Sequence, residues 1–323
     1  MALWKKLGRI YNPTDFPDRP EWQYEYALSP WTIVLEDVVR VFFGCRPPRD
    51  ANGQRVTHTS YLDLDRSDLF NIRAFAERPV LDFGTRGCFD EFGTYPLSCI
   101  QRDVDPPGQL LGFYAGWTRC ESVPFNVGIG AAISKDNGKS FEKLGQGPIL
   151  PFSTHEPFTL SGPKIRKFGD TYYLFYIAGR QWLEINGHPE ISHKIRLATS
   201  SDGLNWKKLD RDLIPNAWDE NEAQASPDVF FANGRYHMFF CGWIPSSFRT
   251  TLDRRIGYAW SLDLVNWTRD DSLVGIGPSN EGWDSQMVAY PHLFELDDQV
   301  YLIYIGNEVG RFGFGLAQLV GDL

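Results

Sequence analysis

The chain has 323 residues, 42% hydrophobic and 15% aromatic, which is enough apolar material for a full core and excludes the disordered and fibrous classes. Its 32 Lys and Arg against 41 Asp and Glu leave a net charge of −9, so neither a surface that tracks phosphates nor a nucleic-acid partner is expected. No apolar run approaches the roughly 20 residues that span a bilayer, and the start MALWKKLGRIYNP lacks the ~7–15 apolar residues of a secretory signal, so no membrane partner and a cytoplasmic location are expected.

In chain order, LWKKLGRIYNP reads as a lone strand with no hairpin before it. Hairpins then follow five prolines: WTIVLEDVVRVFFG after Pro30, LSCIQRDVDPPGQLLGFYAG with a longer turn after Pro96, and KIRKFGDTYYLFYIAG after Pro163. DVFFANGRYHMFFCG after Pro227 and HLFELDDQVYLIYIG after Pro291 complete the set. Each alternates β-branched and aromatic residues, turns at polar residues and returns to a glycine. A third strand with an Asp, Asn or Gly turn comes next, as in IGAAISKDNGKSF, IRLATSSDGLNW and IGYAWSLDLVNW. A fourth follows in FEKLGQGPILP and WKKLDRDLIPN, whereas the last unit stops after its third, GFGLAQL.

The prolines are spaced 66, 67, 64 and 64 residues apart, and 62 residues lead from Pro291 through the chain ends to Pro30. Such a period predicts an all-β, five-bladed β-propeller, a single domain over residues 1–323, with the N-terminal strand completing the last blade. A two-sheet sandwich is the competing architecture, and it gives no reason for the repeat.

In a propeller the innermost strands line a central channel, and the loops leading into them meet at one mouth. Those loops read EYALS, FDEFGTY, HEPFTLSG, NEAQAS and WDSQMVAY, and each holds a carboxylate: Glu25, Asp90 with Glu91, Glu156, Glu222 and Asp284. One such acid alone is a solvated loop residue. Five at equivalent positions predict carboxylates that converge on a substrate, as acid–base chemistry on a glycosidic bond requires, with Asp90, Glu156, Glu222 and Asp284 as the catalytic set.

Trp117, Trp182 and Trp243 stand at second-strand exits, where indole rings suit sugar faces or blade packing equally. Arg46 and Arg180 share those exits with Arg119, Arg249, Arg254 and Arg255, fit to bind a carboxylate or phosphate or to neutralise the acids. With Asp228, Tyr290 and Asn307, the residues Arg46, Trp117, Arg180, Trp182 and Trp243 form the expected substrate-contacting set. Trp206 and Trp267 recur in the turn and read as structural. Of the histidines, His155, His193 and His292 are placed near the mouth and His237 inside a strand. Cys45, Cys88, Cys99, Cys120 and Cys241 lack C-x-x-C spacing and read as free thiols, and no phosphate-binding glycine loop occurs, so no cofactor and no metal centre are implied. A calcium ion held by channel carboxylates stays open.

The S-x-D-G-x-x-W turns and proline-led hairpins resemble the five-bladed propeller glycosidase superfamily of arabinanases, invertases, levansucrases and mannoside phosphorylases. FDEFGTYPLS, EPFTLSGPKI, EAQASPDVFFANGRYHMFF and GWDSQMVAYPHLFE are similar more closely to glycosidase-like proteins of bacterial polysaccharide and nucleotide-sugar gene clusters. The resemblance implies an Asp beside the first inner-strand proline, an Asp after a second and a Glu two residues before a third. Ser29, Leu97 and Ser161 stand there instead, and the Asp after a proline is Asp228, in the fourth unit. The resulting expectation is an enzyme that cleaves or transfers a glycosidic bond on a small or nucleotide-linked sugar. A phosphorylase, in which phosphate replaces one carboxylate, a glycosyltransferase, and a sugar-binding propeller without turnover are the alternatives.

Overall fold

The computed structural model describes residues 4–251, 254–321 and 323, so Leu3 of the opening run lies outside it. Strand β1 (Trp4–Tyr11) stands apart from the first blade, which is built from β2 (Glu25–Val34), β3 (Val38–Arg46), β4 (His58–Asp65) and β5 (Ile72–Phe75). The second blade holds β6 (Gly93–Ile100), β7 (Leu110–Thr118), β8 (Asn126–Ser134) and β9 (Glu142–Lys143). The third holds β10 (Leu160–Phe168), β11 (Thr171–Ile185), β12 (His188–Ser200) and β13 (Lys207–Lys208). Strands β14 (Ala223–Ala232), β15 (Arg235–Trp243), β16 (Arg255–Ser261) and β17 (Trp267–Arg269) form the fourth, with helix α1 (Pro245–Thr251) between β15 and β16. The fifth contains β18 (Ala289–Leu296), β19 (Gln299–Ile305) and β20 (Phe314–Leu319), and β1 pairs antiparallel with β20 from Trp4 opposite Leu319 to Tyr11 opposite Phe314.

Five four-stranded sheets arranged in a ring make this a five-bladed β-propeller, closed by its N-terminal strand as the repeat predicts. The inner strands β2, β6, β10, β14 and β18 each touch the next around the axis. The outermost strands are short, two residues in β9 and β13, which leaves little unpaired edge.

Proline cannot donate to a strand ladder, so each inner strand breaks register at its proline. The pairing skips from Leu28 to Trp31, Thr94 to Leu97, Ser161 to Lys164, Ala225 to Asp228 and Ala289 to His292. Ser29, Gly162, Ser226 and Tyr290 meet the bend with positive φ, and Tyr95 meets it with a cis bond to Pro96. Between blades the core is aromatic: Phe42, Phe113, Phe175, Phe239 and Phe314 are fully buried.

Candidate functional site

The loops leading into the inner strands hold the predicted acids, but their side chains point along the blades. Asp90 accepts from the Tyr114 hydroxyl of β7 at 2.8 Å and pairs with Lys143 of β9 at 2.6 Å. Glu156 repeats the arrangement with Tyr176 at 2.7 Å and Lys208 at 2.5 Å, and Asp284 does so with Tyr304 at 3.0 Å and Lys6 of β1 at 2.6 Å. In the fourth blade the second-strand position is Phe240, so Glu222 draws on Arg269 at 2.7 Å, on Gln224 at 3.0 Å and on the backbone N–H groups of Ala217 and Trp218. All four carboxylates are buried, and each is satisfied by groups of its own blade. Each carboxylate is thus held within its own blade: a charge out of water is stable only with a cation beside it, and the blades supply one apiece.

The residues after the inner-strand prolines, Trp31, Leu97, Lys164, Asp228 and His292, form a layer across the axis. Asp228 takes Arg166 on one oxygen at 2.6 Å and His292 Nδ1 on the other at 2.6 Å. The backbone N–H of Thr32 donates to His292 Nε2 at 2.9 Å, which places the imidazole proton on Nδ1. The His292 ring lies 4.6 Å from that of Trp31, tilted by 38°, and Lys164 Nζ donates to the Pro30 carbonyl at 3.0 Å. Asp228, predicted to touch substrate, is thus fully buried in a structural knot, and His292 with it.

On the mouth side of that layer the charge is positive. Arg46 lies 5.0 Å from the Tyr26 ring and donates through Nε to Thr57 at 3.1 Å. Arg55 lies 5.1 Å from the same ring and shares Glu25 with Arg311. From the opposite side Arg254 donates to the Tyr290 hydroxyl and lies 4.0 Å from the Trp243 ring. The ionisation of Tyr95 and of Tyr290 is raised first by burial and lowered by both Arg46 and Arg254, so each phenol feels both cations. The Tyr95 ring rests on Gly44, where a Cβ would stand 2.0 Å from its Cδ2. Among the described residues neither Arg46 nor Arg254 has a carboxylate partner; one nitrogen of each is engaged, Arg46 Nε by Thr57 and Arg254 by Tyr290.

Of the predicted contact residues, Arg46, Trp243 and Tyr290 therefore meet in the mouth. Trp117 and Trp182 flank Phe125 on its rim, with centroids 4.7 and 5.5 Å away, and the Trp117 indole donates to the Tyr95 carbonyl. Arg180 turns outward to the His155 carbonyl, and Asn307, just after β19, ties its turn to the loop before β18 by donating to the Gly282 carbonyl and accepting from the Gln286 N–H. His193 lies beside Trp243, His155 is exposed, and His237 is packed against Tyr258 as expected. Tyr26, Tyr95 and Arg55 were absent from the predicted residues, whereas Arg254 stood among the exit arginines fit to bind an anion. For Tyr95 the signal was in the sequence, since like Tyr290 it immediately precedes an inner-strand proline.

No protein-family model matches the chain. The solved structure described as "Glycoside hydrolase" superposes with a TM-score of 0.73 at 19% identity over 97% of this chain and 90% of its own. A thermostable family-43 glycoside hydrolase gives 0.64 at 15% identity over 93% and 90%. The "Beta-1,2-mannobiose phosphorylase" of Thermoanaerobacter sp. (strain X514) is 29% identical over 138 residues, 39% of this chain and 43% of that protein. The resemblance to propeller glycosidases thus holds at the level of fold. "Uncharacterized protein Rv1502" of Mycobacterium tuberculosis (strain ATCC 25618 / H37Rv) is 34% identical over 317 residues, 98% of this chain and 99% of that protein, and so is its counterpart in strain CDC 1551 / Oshkosh. The chain accordingly belongs to the family of Rv1502, on a five-bladed propeller like that of the two solved glycoside hydrolases.

Proposed function

We propose that this protein is a carbohydrate-active enzyme that cleaves or transfers a glycosidic bond on a small sugar, with a phosphoryl group bound in the mouth. That group belongs either to a nucleotide-linked sugar or to inorganic phosphate acting as co-substrate. The observation that carries the reading is the pair Arg46 and Arg254, which face Tyr95 and Tyr290 and have no carboxylate partner among the described residues. In phosphorolysis a phosphate oxygen would form the new bond to the anomeric carbon as the glycosidic bond breaks. The departing oxygen would take the proton that dihydrogen phosphate gives up, relayed through a mouth phenol that ends protonated as it began. Asp90, Glu156, Glu222 and Asp284 hold the blades in this reading.

The test uses inorganic phosphate and nucleoside diphosphate sugars as probes in calorimetry, followed by sugar-release assays with and without phosphate. Arg46→Ala and Arg254→Ala should each weaken binding about 10- to 100-fold, the scale of a lost charged hydrogen bond. Wild-type affinity in both variants would refute the anion seat. Glu222→Gln and Asp284→Asn should leave turnover within a few-fold of wild type. A loss of about 10²–10⁴-fold in a folded variant would restore those acids as the catalytic pair. A sugar-binding propeller without turnover is the second reading, favoured by the same scarcity of carboxylates in the mouth, and phosphate- or nucleotide-dependent release would end it.

A further inference from the structure

Two further buried side chains each carry a polar atom without a partner, Ser226 at its Oγ and His193 at its Nδ1. Ser226 immediately precedes the inner-strand proline of the fourth blade, as Tyr290 does in the fifth. It is 2% exposed, bends with φ 47°, and its Oγ meets no donor or acceptor. His193 on β12 is 7% exposed, its Nε2 lies 3.1 Å from the Thr159 hydroxyl, and its Nδ1 is unpaired. The imidazole sits 6.3 Å from Trp243, the ring on which Arg254 rests, and Arg254 Nε is likewise buried without a partner. Leaving such groups dry and unpaired is costly, and a ligand that satisfies them recovers the cost.

We infer that Ser226 and His193 are specificity-determining residues that bind hydroxyl groups of the glycosyl unit, beside the phosphoryl group held by Arg46 and Arg254. This rests on the reading of the mouth as a sugar site. The chemistry selects a neutral hydroxyl: serine Oγ both donates and accepts, and Nδ1 does one or the other according to which atom carries the proton shared with Thr159. Burial above all, and then Arg254 and Lys194, lower His193 to about 3, so the ring stays neutral at working pH and does not compete with the arginines for the anion. A site that pairs buried polar atoms with hydroxyls rejects the matching deoxy sugar, because the atoms are then left unsatisfied.

The experiment titrates wild type, Ser226→Ala and His193→Gln with D-glucose, D-mannose, D-galactose and their 2-deoxy and 6-deoxy analogues, followed by tryptophan fluorescence and saturation-transfer NMR. Inorganic phosphate is titrated in parallel. The wild type is expected to prefer one parent hexose over one of its deoxy analogues, and each variant to bind that parent about tenfold more weakly while its affinity for the matching deoxy sugar and for phosphate stays unchanged. Equal losses for parent and deoxy sugar, unchanged binding of the parent in both variants, or no hexose binding by a wild type that still binds phosphate would each overturn the inference and leave the anion seat standing. Loss of phosphate binding in a folded Ser226→Ala would instead count against both. Thermal unfolding of each variant, with His193→Phe as a second substitution, separates specificity from folding.

Discussion

At the scale of single residues, the axial knot shows what keeps an ion buried. Burial alone would raise the Asp228 carboxyl, yet Arg166 and then His292 and Lys164 overcome it and hold it well below the usual carboxylate range. Removing that charge strands Arg166, so Asp228→Asn should lower the unfolding free energy by about 3–5 kcal/mol in urea denaturation. His193 and His292 behave oppositely to a histidine that gains an anion. Both are lowered to about 3, burial being the largest cause. The unfolded chain takes up protons there below about pH 6.5, and the folded chain does so only near about pH 3, so stability falls with pH across that window, by about 2 kcal/mol per histidine at pH 5. Denaturation midpoints at pH 7 and pH 5 check this, and His193→Gln should show a smaller drop than wild type. Gly44→Ala belongs to this scale too. Its Cβ would strike the Tyr95 ring, so a destabilised protein of about 1–3 kcal/mol with weakened phosphate binding is expected from calorimetry.

The blade is the next scale, and its recurring device is a carboxylate that fastens the loop before strand one to a tyrosine on strand two and a lysine on strand four. Tyr176→Phe or Tyr304→Phe keeps the ring and removes one donor from a buried carboxylate, for an expected loss of about 1–3 kcal/mol read from denaturant midpoints. Asp90, Glu156 and Asp284 stood out in the sequence because the fold repeats this fastening. Spacing placed each acid at the foot of an inner strand. It carried no information on which way the side chain turns, because that depends on a lysine about 50 residues further on, or in the fifth blade on Lys6 near the opposite end of the chain.

For the whole molecule, β1 decides closure: it covers β20 and brings Lys6 to Asp284. A chain lacking residues 1–11 leaves the β20 edge open and one buried carboxylate uncompensated, so loss of cooperative thermal unfolding or self-association is expected, measured by circular dichroism and gel filtration. A monomer melting at the wild-type temperature would contradict it. The sequence by itself determined the ring, its five units and their closure, because proline placement, period-2 strands and turn residues act over a few neighbours and repeat audibly along the chain. The functional centre was decided only by tertiary structure. Arg46 and Arg254 are about 200 residues apart in the chain, and only the folded ring lets both act on Tyr95 and Tyr290 from two other blades, as the proposed anion seat requires. Electrostatics of that kind depends on distances through space and on which charges are already neutralised, and neither quantity is written in the order of the residues.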